Sequence, residues 1–272
     1  MMRRRGGYNV EIIATGDEIL FGRIVDTNSS WIERRAAELG ARIRRVTCVG
    51  DDVDEIAGAL QEALTRRNDL IIFTGGLGPS EDDLTVEAIG RAVGRRVVLD
   101  QGAVEKIRRG YAERGVRSTA RLERMGRVLE GSKAIPNPVG MATGMMLLEG
   151  GAVIMTFPGV PAEMKGMFDE YAAPLIERGA GSKFVARTVT ARMVFRDFFP
   201  MYRRMLRDHP DVYIKNASTP PEDAEERAKV KEIKVDIIVE GATRFESEEK
   251  MEAVLEEFRK RIEALQGRLL ID

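Results

Sequence analysis

Short apolar runs that alternate with helical patterns are the feature of this sequence that most restricts its fold. Residues 70–73 form the clearest run, and residues 10–14 and 43–49 form similar runs before it. A strand that is buried on both faces is continuously apolar, which is typical of parallel sheets. The stretches between the runs carry apolar residues at helical spacing. The alternation predicts an α/β fold in which helices cover both faces of a mostly parallel sheet.

Proline, glycine and capping residues set the limits of the other predicted elements. In the first 180 residues, helices are expected from Asn28 or Ser29 to Gly40, from Asp51 or Asp52 to Leu64, and at 83–93, 101–114 and 161–178, with strands at 96–99, 132–136, 144–149 and 152–157. The Gly150-Gly151 pair is expected to join the last two strands as a hairpin.

A stretch of small residues, 179–182, marks the predicted boundary between two domains, residues 1–180 and residues 183–272. In the second domain, strands are expected at 184–195, 212–216 and 230–239, and helices at 198–207 and 247–266. This order of elements predicts a smaller α+β domain.

Composition narrows the chemistry that the chain can use. Lys and Arg number 43 and Asp and Glu number 44, so the net charge of -1 exerts no general attraction on nucleic acid or on anionic membranes. The single cysteine, Cys48, excludes an internal disulfide, and with one histidine, His209, a Cys/His zinc site is excluded as well. His209 precedes Pro210 in a polar stretch, which argues against a catalytic triad. Carboxylates, hydroxyls and a metal ion are left for any reaction.

No segment of the sequence is typical of a membrane or secreted protein. The basic residues 1–7 are not followed by an apolar segment, so we do not expect a signal peptide. Residues 141–160 are the most apolar stretch, but glycines and a glutamate interrupt them, and a bilayer span needs about 20 apolar residues. A single thiol also suits a reducing compartment. We therefore expect a soluble, cytoplasmic protein without a membrane partner.

A glycine-rich segment, residues 74–80, follows the buried run at 70–73 and precedes a helix; it is called the glycine loop below. Glycines let the backbone approach a ligand, and N–H groups at a helix start favour an anion such as phosphate. The carboxyl ends of the strands are also where open α/β sheets bind ligands. The predicted ligand-binding residues are Thr74, Gly75, Gly76, Gly78, Ser80 and Thr85. The alternative is a tight connection without a ligand, because the segment matches neither the Walker loop nor the dinucleotide fingerprint.

Acidic pairs stand beside the predicted site. Asp82 and Asp83 follow the glycine loop, and Asp17 and Glu18 follow the first strand. Acids repel a bound phosphate unless a cation lies between them, and Mg²⁺ prefers oxygen ligands and bridges carboxylates to phosphates. Asp82 and Asp83 are therefore predicted metal ligands, and Asp17 or Glu18 is predicted to hold the metal or orient a water. The alternatives are stabilisation of a helix start and a plain polar turn.

Two later loops are predicted to complete the pocket. Asn137 and Gly140 lie in the rigid segment 136–140, and Gly159 lies between a strand and a helix that starts at Pro161. A helix start is a suitable place for a second anionic group, so the two loops suit a two-ended ligand such as a dinucleotide. The alternative is ordinary turn chemistry.

Five ordered motifs resemble the CinA-type family (competence/damage-inducible protein), whose N-terminal domain is a MoaB/Mog-like, molybdopterin-binding domain. The motifs are residues 16–20, 25–29, 74–85, 136–140 and 158–164. The resemblance implies a three-layer αβα domain with a mostly parallel sheet, followed by a smaller α+β domain. It also implies a divalent metal, hydrolysis of ADP-ribose to AMP and ribose 5-phosphate, and a homodimer.

The leading hypothesis is a Mg²⁺-dependent ADP-ribose pyrophosphatase. One alternative is a molybdopterin-binding or adenylyl-transferring protein of molybdenum cofactor biosynthesis, although Asp82 stands where that branch often has Arg. The other is a non-catalytic nucleotide-binding module. RNA binding is not expected, because residues 184–272 contain no Gly-x-x-Gly clamp.

This sequence departs from the family pattern at three places: Ser80 stands where Thr is frequent, Thr143 where Pro is common, and residues 124–126 replace a Lys-Gln-Ala stretch. The last change bears on substrate preference. Larger relatives also carry a C-terminal amidase domain, for which 272 residues leave no room, so amidase activity is not expected.

Overall fold

A computed structural model describes residues 7–181 and 183–271 of the chain. The chain forms two compact units, unit 1 (residues 1–180) and unit 2 (residues 181–272). Residues 1–6 lie outside the described residues, so the structure does not bear on the expectation that the basic segment 1–7 is not a signal peptide. Across the described part of the chain, no helix is both long enough and apolar enough to cross a bilayer.

Unit 1 alternates strands and helices, as the apolar runs predict. Its elements are β1 (Tyr8–Thr15), α1 (Asp17–Leu20), α2 (Thr27–Glu38), β2 (Ala41–Val49), α3 (Val53–Thr65), β3 (Leu70–Thr74), α4 (Thr85–Val93), β4 (Val97–Leu99), α5 (Gln101–Ala112), α6 (Ala120–Glu123), β5 (Arg127–Leu129), β6 (Lys133–Ile135), β7 (Gly144–Glu149), β8 (Ala152–Phe157), α7 (Pro161–Met167) and α8 (Ala173–Gly179). A π-helical turn, Phe168–Ala172, connects α7 to α8. The predicted helix at 161–178 is therefore interrupted.

The main sheet has the strand order β2-β1-β3-β8-β7-β6. The first four strands are parallel, and β7 and β6 are antiparallel to their neighbours. Alternate residues of β1 and β3 enter two separate cores: Ile13, Ile71 and Phe73 pack with α3 and α4, and Val10, Ile12 and Ile72 pack with α2 and α7. This arrangement confirms the predicted three-layer αβα fold with a mostly parallel sheet.

Two helix starts differ from the predictions. Asp26, and neither Asn28 nor Ser29, caps α2, because its carboxylate accepts a hydrogen bond from the Ser29 N–H at 2.9 Å. Helix α4 begins at Thr85 and not at residue 83, because the preceding residues form a turn. Asp52 is the cap of α3, as one of the two predicted alternatives has it. The short elements β5 (3 residues) and α6 (4 residues) are not among the predicted ones.

Unit 2 is a smaller domain with one antiparallel sheet. Its elements are β9 (Lys183–Val194), α9 (Phe195–Asp208), β10 (Tyr213–Asn216), α10 (Ala224–Arg227), β11 (Val230–Gly241), α11 (Arg244–Glu263) and β12 (Arg268–Ile271). The strand order is β10-β11-β9-β12. Apolar side chains of α9 and α11 share one core with alternate residues of β9 and β11. The predicted α+β domain is confirmed, with β12 as an additional strand.

Candidate ligand-binding cleft

The carboxyl ends of β1, β3 and β8 lie side by side, because Ala14 pairs with Thr74 and Thr74 pairs with Phe157. The loops that follow these strands and β2 surround a cleft of about 750 Å³. The lining residues are Thr15, Gly16, Glu18, Ile19, residues 24–28, Asp51, residues 74–80, Asp82, Asp83, Tyr111, Arg114, Met125, residues 139–142, residues 158–161 and Glu163. The predicted residues Thr74, Gly75, Gly76, Gly78, Ser80, Gly140, Gly159, Glu18, Asp82 and Asp83 are among them.

The glycine loop crosses the sheet in close contact with β1. Gly75 and Gly76 have φ angles of 108° and 63°, which side chains disfavour. A Cβ atom on Gly75 would overlap the Thr15 carbonyl oxygen, and one on Gly76 would overlap the Thr85 hydroxyl. Both the backbone angles and the close approach therefore require glycine at these two positions.

Some N–H groups of the glycine loop are already paired within the protein. The Gly75 N–H donates to the Phe157 carbonyl at 3.0 Å, and the Ser80 N–H donates to the Asp83 carboxylate at 2.7 Å. The N–H groups of Gly76, Leu77 and Gly78 have no acceptor within residues 7–181 and 183–271. The part of the loop that can bind an anion is thus a run of three residues in its middle, shorter than the sequence predicts.

Thr85 contacts the buried side of the glycine loop and does not line the cleft. Its hydroxyl is fully buried, donates to the Gly75 carbonyl at 2.9 Å and lies 3.1 Å from the Thr15 hydroxyl. The prediction of Thr85 as a ligand-binding residue is corrected accordingly: α4 starts at this position, which turns its side chain toward the sheet.

Asn28 ties two of the cleft loops together. Its amide nitrogen donates to the Thr74 hydroxyl at 3.1 Å and to the Gly159 carbonyl at 2.8 Å. The Thr74 hydroxyl in turn donates to the Pro158 carbonyl at 3.3 Å. These contacts hold the loop after β3 against the loop after β8, so Asn28 fixes the floor of the cleft.

Acidic side chains of separate loops converge at the cleft. The Asp17 N–H donates to the Asp51 carboxylate at 3.1 Å, and the Asp51 N–H donates to the Asp17 carboxylate at 3.2 Å. Burial raises the pKa of Asp51, and the negative charges of Asp17, Glu18 and Asp82 raise it further, against the opposing effect of the Asp17 N–H. Asp17 itself does not line the cleft and acts through Asp51.

The two acids that follow the glycine loop have different roles. The Asp83 carboxylate accepts from the Ser80 N–H, and a Cβ on Gly78 would lie 2.6 Å from it, so it closes the loop on itself. Asp82 has no such contact with the loop; it lines the cleft, and its negative charge adds to the effect of burial in raising the pKa of Asp51. Both acids line the cleft, and their predicted role as metal ligands stays a prediction.

The arrangement of these acids decides which kind of divalent metal site they can form. Within the described chain, no group of three or more Asp, Glu, His or Cys side chains is close enough together to hold an ion. Mg²⁺ commonly takes only one or two carboxylates and completes its shell with water and substrate phosphates. Asp51, Asp82 and Asp83 all line the cleft and can supply one or two such carboxylates, whereas a site made of protein ligands alone does not fit.

Asn137 organises the loop at the far end of the cleft without facing it. It is 1% exposed; its oxygen accepts from the N–H groups of Val139 and Gly140, and its nitrogen donates to the Glu163 carboxylate at 2.5 Å. The Lys106 ammonium donates to the Asn137 and Gly140 carbonyls, and burial lowers the pKa of Lys106. The prediction of Asn137 as a ligand-binding residue is corrected, since Glu163 and Gly140 line the cleft beside it.

Sequence reasoning did not assign Asp51, Glu163, Tyr111 or Arg114 to the site. The position of Asp51 contained a usable signal, because it follows β2, whose carboxyl end lies at the same edge of the sheet. Tyr111 and Arg114 lie at and just beyond the end of α5, and no local pattern connects that position to the cleft.

Comparison with known proteins places the chain in a family. Residues 11–178 match the family described as "probable molybdopterin binding domain". A protein from Pyrobaculum calidifontis is 39% identical over 207 residues, which are 75% of this chain and 79% of the relative. A protein from Aeropyrum pernix is 33% identical over 258 residues, 94% of each chain, and thus extends through unit 2.

Relatives that carry the CinA name match the first part of the chain. The crystal structure of the protein CinA, with unknown function, from Thermoplasma acidophilum superposes with a TM-score of 0.57 and 35% identity over 61% of this chain and 98% of that one. A putative competence-damage inducible protein from Geobacillus kaustophilus is 43% identical over 62% of this chain, which spans 41% of that relative. The chain therefore belongs to the molybdopterin-binding-domain family and, within it, to the CinA-type proteins.

Proposed function

We propose that the cleft binds a phosphorylated pterin of the molybdopterin type, with its phosphate on the glycine loop. The observation that supports this proposal is the run of unpaired N–H groups at Gly76, Leu77 and Gly78, for which the described residues supply no acceptor. Successive backbone N–H groups in a tight loop form a concave site for an anion. The family that residues 11–178 match is described by the same ligand, which supports the pterin part of the proposal.

The test is a calorimetric titration of the full chain with a phosphorylated pterin and with the same pterin lacking the phosphate. We expect the phosphate to strengthen binding by at least about tenfold, since its contacts are charge-assisted hydrogen bonds. Substitution of Gly76→Ala should remove this advantage, because a Cβ there overlaps Thr85. Equal affinity for the two pterins would contradict the proposal.

A second candidate is hydrolysis of ADP-ribose to AMP and ribose 5-phosphate. The acids Asp17, Glu18, Asp51 and Asp82 at or beside the cleft favour it, because burial and these negative charges raise the pKa of Asp51, and a phosphate among such acids calls for a cation. In this proposal Asp51 and Asp82 would hold Mg²⁺, and the ion would supply positive charge to neutralise the diphosphate. Asp17 orients Asp51 through their reciprocal hydrogen bonds. The unpaired N–H groups of the glycine loop bind the diphosphate oxygens.

Separation of the products by chromatography decides between the two candidates. The protein is incubated with ADP-ribose and Mg²⁺, and separately with a pterin phosphate, ATP and Mg²⁺, which tests adenylyl transfer. Hydrolysis should appear in the first reaction and fall at least about 100-fold in Asp51→Asn and Asp82→Asn, since charge neutralisation carries most of such catalysis. Asp54→Asn, an exposed acid of α3 outside the cleft, is the control. Absence of AMP from the unsubstituted protein would contradict hydrolysis and leave pterin binding.

A further inference from the structure

The charges on the cleft wall are strongly unequal. The acidic lining residues are Glu18, Asp26, Asp51, Asp82, Asp83 and Glu163. Among the lining residues that the structure describes, Arg114 is the one with a positively charged side chain. A phosphorylated ligand that enters the cleft is therefore repelled by many side chains, and a single guanidinium attracts it.

The guanidinium of Arg114 is not engaged by any acid. No carboxylate of the described chain lies within ion-pair distance of it, although acids outnumber it in the same cleft. The guanidinium carbon lies over the ring of Tyr111, 6.0 Å from the ring centroid. Tyr111 packs against the core beneath α5 and also lines the cleft. Its ring can therefore hold the Arg114 side chain in position.

Other arginines near the cleft are already committed to the protein. Arg127 pairs with Glu87 and donates to the Asp83 carbonyl at 2.9 Å. Arg121 donates to the Pro79 carbonyl at 3.4 Å. These contacts hold the glycine loop and its neighbours, whereas the donors of Arg114 remain available to a ligand.

We propose that Arg114 forms a second anion subsite and that Tyr111 positions it. The ligand then carries two anionic groups, one on the N–H groups of Gly76, Leu77 and Gly78 and the other on the guanidinium. A guanidinium binds phosphate or carboxylate oxygens in pairs, which suits this role. The inference rests on the proposed function and narrows it to phosphorylated compounds that bear a second anionic group, such as a diphosphate.

Arg117 offers a matched control for Arg114. It lies in the same connection between α5 and α6, is exposed and does not line the cleft. Substitution of either residue by Gln removes one positive charge from the same part of the surface. General electrostatic attraction therefore changes similarly in both variants, and only a direct contact separates them.

Calorimetric titration with AMP and ADP, in the presence of Mg²⁺, tests the subsite. We expect ADP to bind the unsubstituted chain more tightly than AMP does. Arg114→Gln should weaken ADP binding about tenfold and bring it close to that of AMP, while Arg117→Gln preserves the difference. Equal losses in the two variants, or equal losses for AMP and ADP in Arg114→Gln, would overturn the assignment.

The role of Tyr111 is tested with two substitutions in the same assay. Tyr111→Phe keeps the ring and should retain the preference for ADP, whereas Tyr111→Leu removes the ring face and should reduce it roughly threefold. A loss in both variants would show that the ring does not position Arg114. If neither nucleotide nor a pterin phosphate binds the unsubstituted chain, the proposed function itself fails, and the inference fails with it.

Discussion

At one end of the six-stranded sheet the Glu11 carboxylate is fully buried and satisfied, whereas at the other end the Asp51 carboxylate faces further acids. Glu11 accepts hydrogen bonds from Arg66 at 2.6 and 3.0 Å and from Asn68 at 2.7 Å. Asp51 accepts one N–H, and its pKa is raised by burial and then by the charges of Asp17, Glu18 and Asp82. Arg66 supplies the counter-charge of Glu11, whereas no cationic side chain of residues 7–181 or 183–271 forms an ion pair with Asp51.

The difference separates a carboxylate that stabilises the fold, Glu11, from one that lacks a partner of opposite charge in the described chain, Asp51. A buried charge is tolerated when it is paired and hydrogen-bonded, as Glu11 is. Acids that face one another cost free energy, and a fold keeps them only where something outside the chain offsets that cost. The comparison therefore assigns the amino end to stability and the carboxyl end to binding, and the two ends should respond differently to substitution.

The largest expected effect is at the amino end. Glu11→Ala leaves Arg66 and Asn68 without their buried acceptor and should lower the free energy of unfolding by about 3 kcal/mol. Urea denaturation measures the loss. Glu62→Ala removes the exposed carboxylate that also contacts Arg66, and it should cost under about 1 kcal/mol. Ligand affinity should be unchanged in both folded variants, and a selective loss of affinity in Glu11→Ala would break the comparison.

Substitution of a glycine in the glycine loop should lower both the stability of the protein and its affinity for the ligand. Gly76→Ala forces a Cβ into Thr85 at a φ angle of 63° and should cost about 2 kcal/mol or more. Gly94→Ala is the control, because Gly94 has a φ angle of 68° with nothing within 4 Å of an added Cβ, so only the backbone cost of about 1 kcal/mol applies. Thermal unfolding and titration with a pterin phosphate compare the two. Similar affinities in both variants would contradict a binding role for the loop.

Asn28 and Asn68 form a matched pair at opposite ends of the sheet. Each amide nitrogen donates to two acceptors, and each amide oxygen is buried without a partner in the described chain. Either residue changed to Ala should cost about 1–2 kcal/mol through the acceptors it leaves unpaired. Only Asn28→Ala should also weaken ligand binding, because it releases the loops that end at Thr74 and Gly159. Equal ligand affinities would show that these loops hold their geometry without the amide.

The smallest effect concerns pH. The pKa of Asp51 in the folded protein lies above its ordinary value of 3.8, so the folded state takes up the proton more readily than the unfolded state. Ionised Asp51 therefore costs stability, and this cost grows as the pH rises from about 4 through the folded-state pKa. Asp51→Asn should raise the free energy of unfolding at pH 7 by about 0.5 kcal/mol, a small change because the group is partly exposed. Over the same pH range, this variant should lose less stability than the unsubstituted protein. A destabilised Asp51→Asn at pH 7 would contradict the acidic convergence.

Much of the fold was predictable from local patterns. The hairpin strands β7 and β8 have the predicted limits, because the Gly150-Gly151 pair supplies the positive φ angles of 58° and 84° that such a turn needs. Strand β3, which ends at Thr74, and the glycine loop after it could likewise be predicted from the sequence. Asn137, by contrast, has the same local setting as an exposed loop amide, and only its distant contacts with Lys106 and Glu163 explain its burial.

The order of strands and helices, and the edge of the sheet at which the glycine loop lies, were determined by the sequence itself. These features depend on the spacing of apolar residues and on backbone sterics, which act over a few residues. The tertiary structure decided the contact of Asp51 with Asp17, the close approach of Thr15 and Thr85 that requires glycine at residues 75 and 76, and the position of Arg114 at the cleft. They depend on contacts between loops that follow different strands and helices, and no local pattern encodes which of those loops meet.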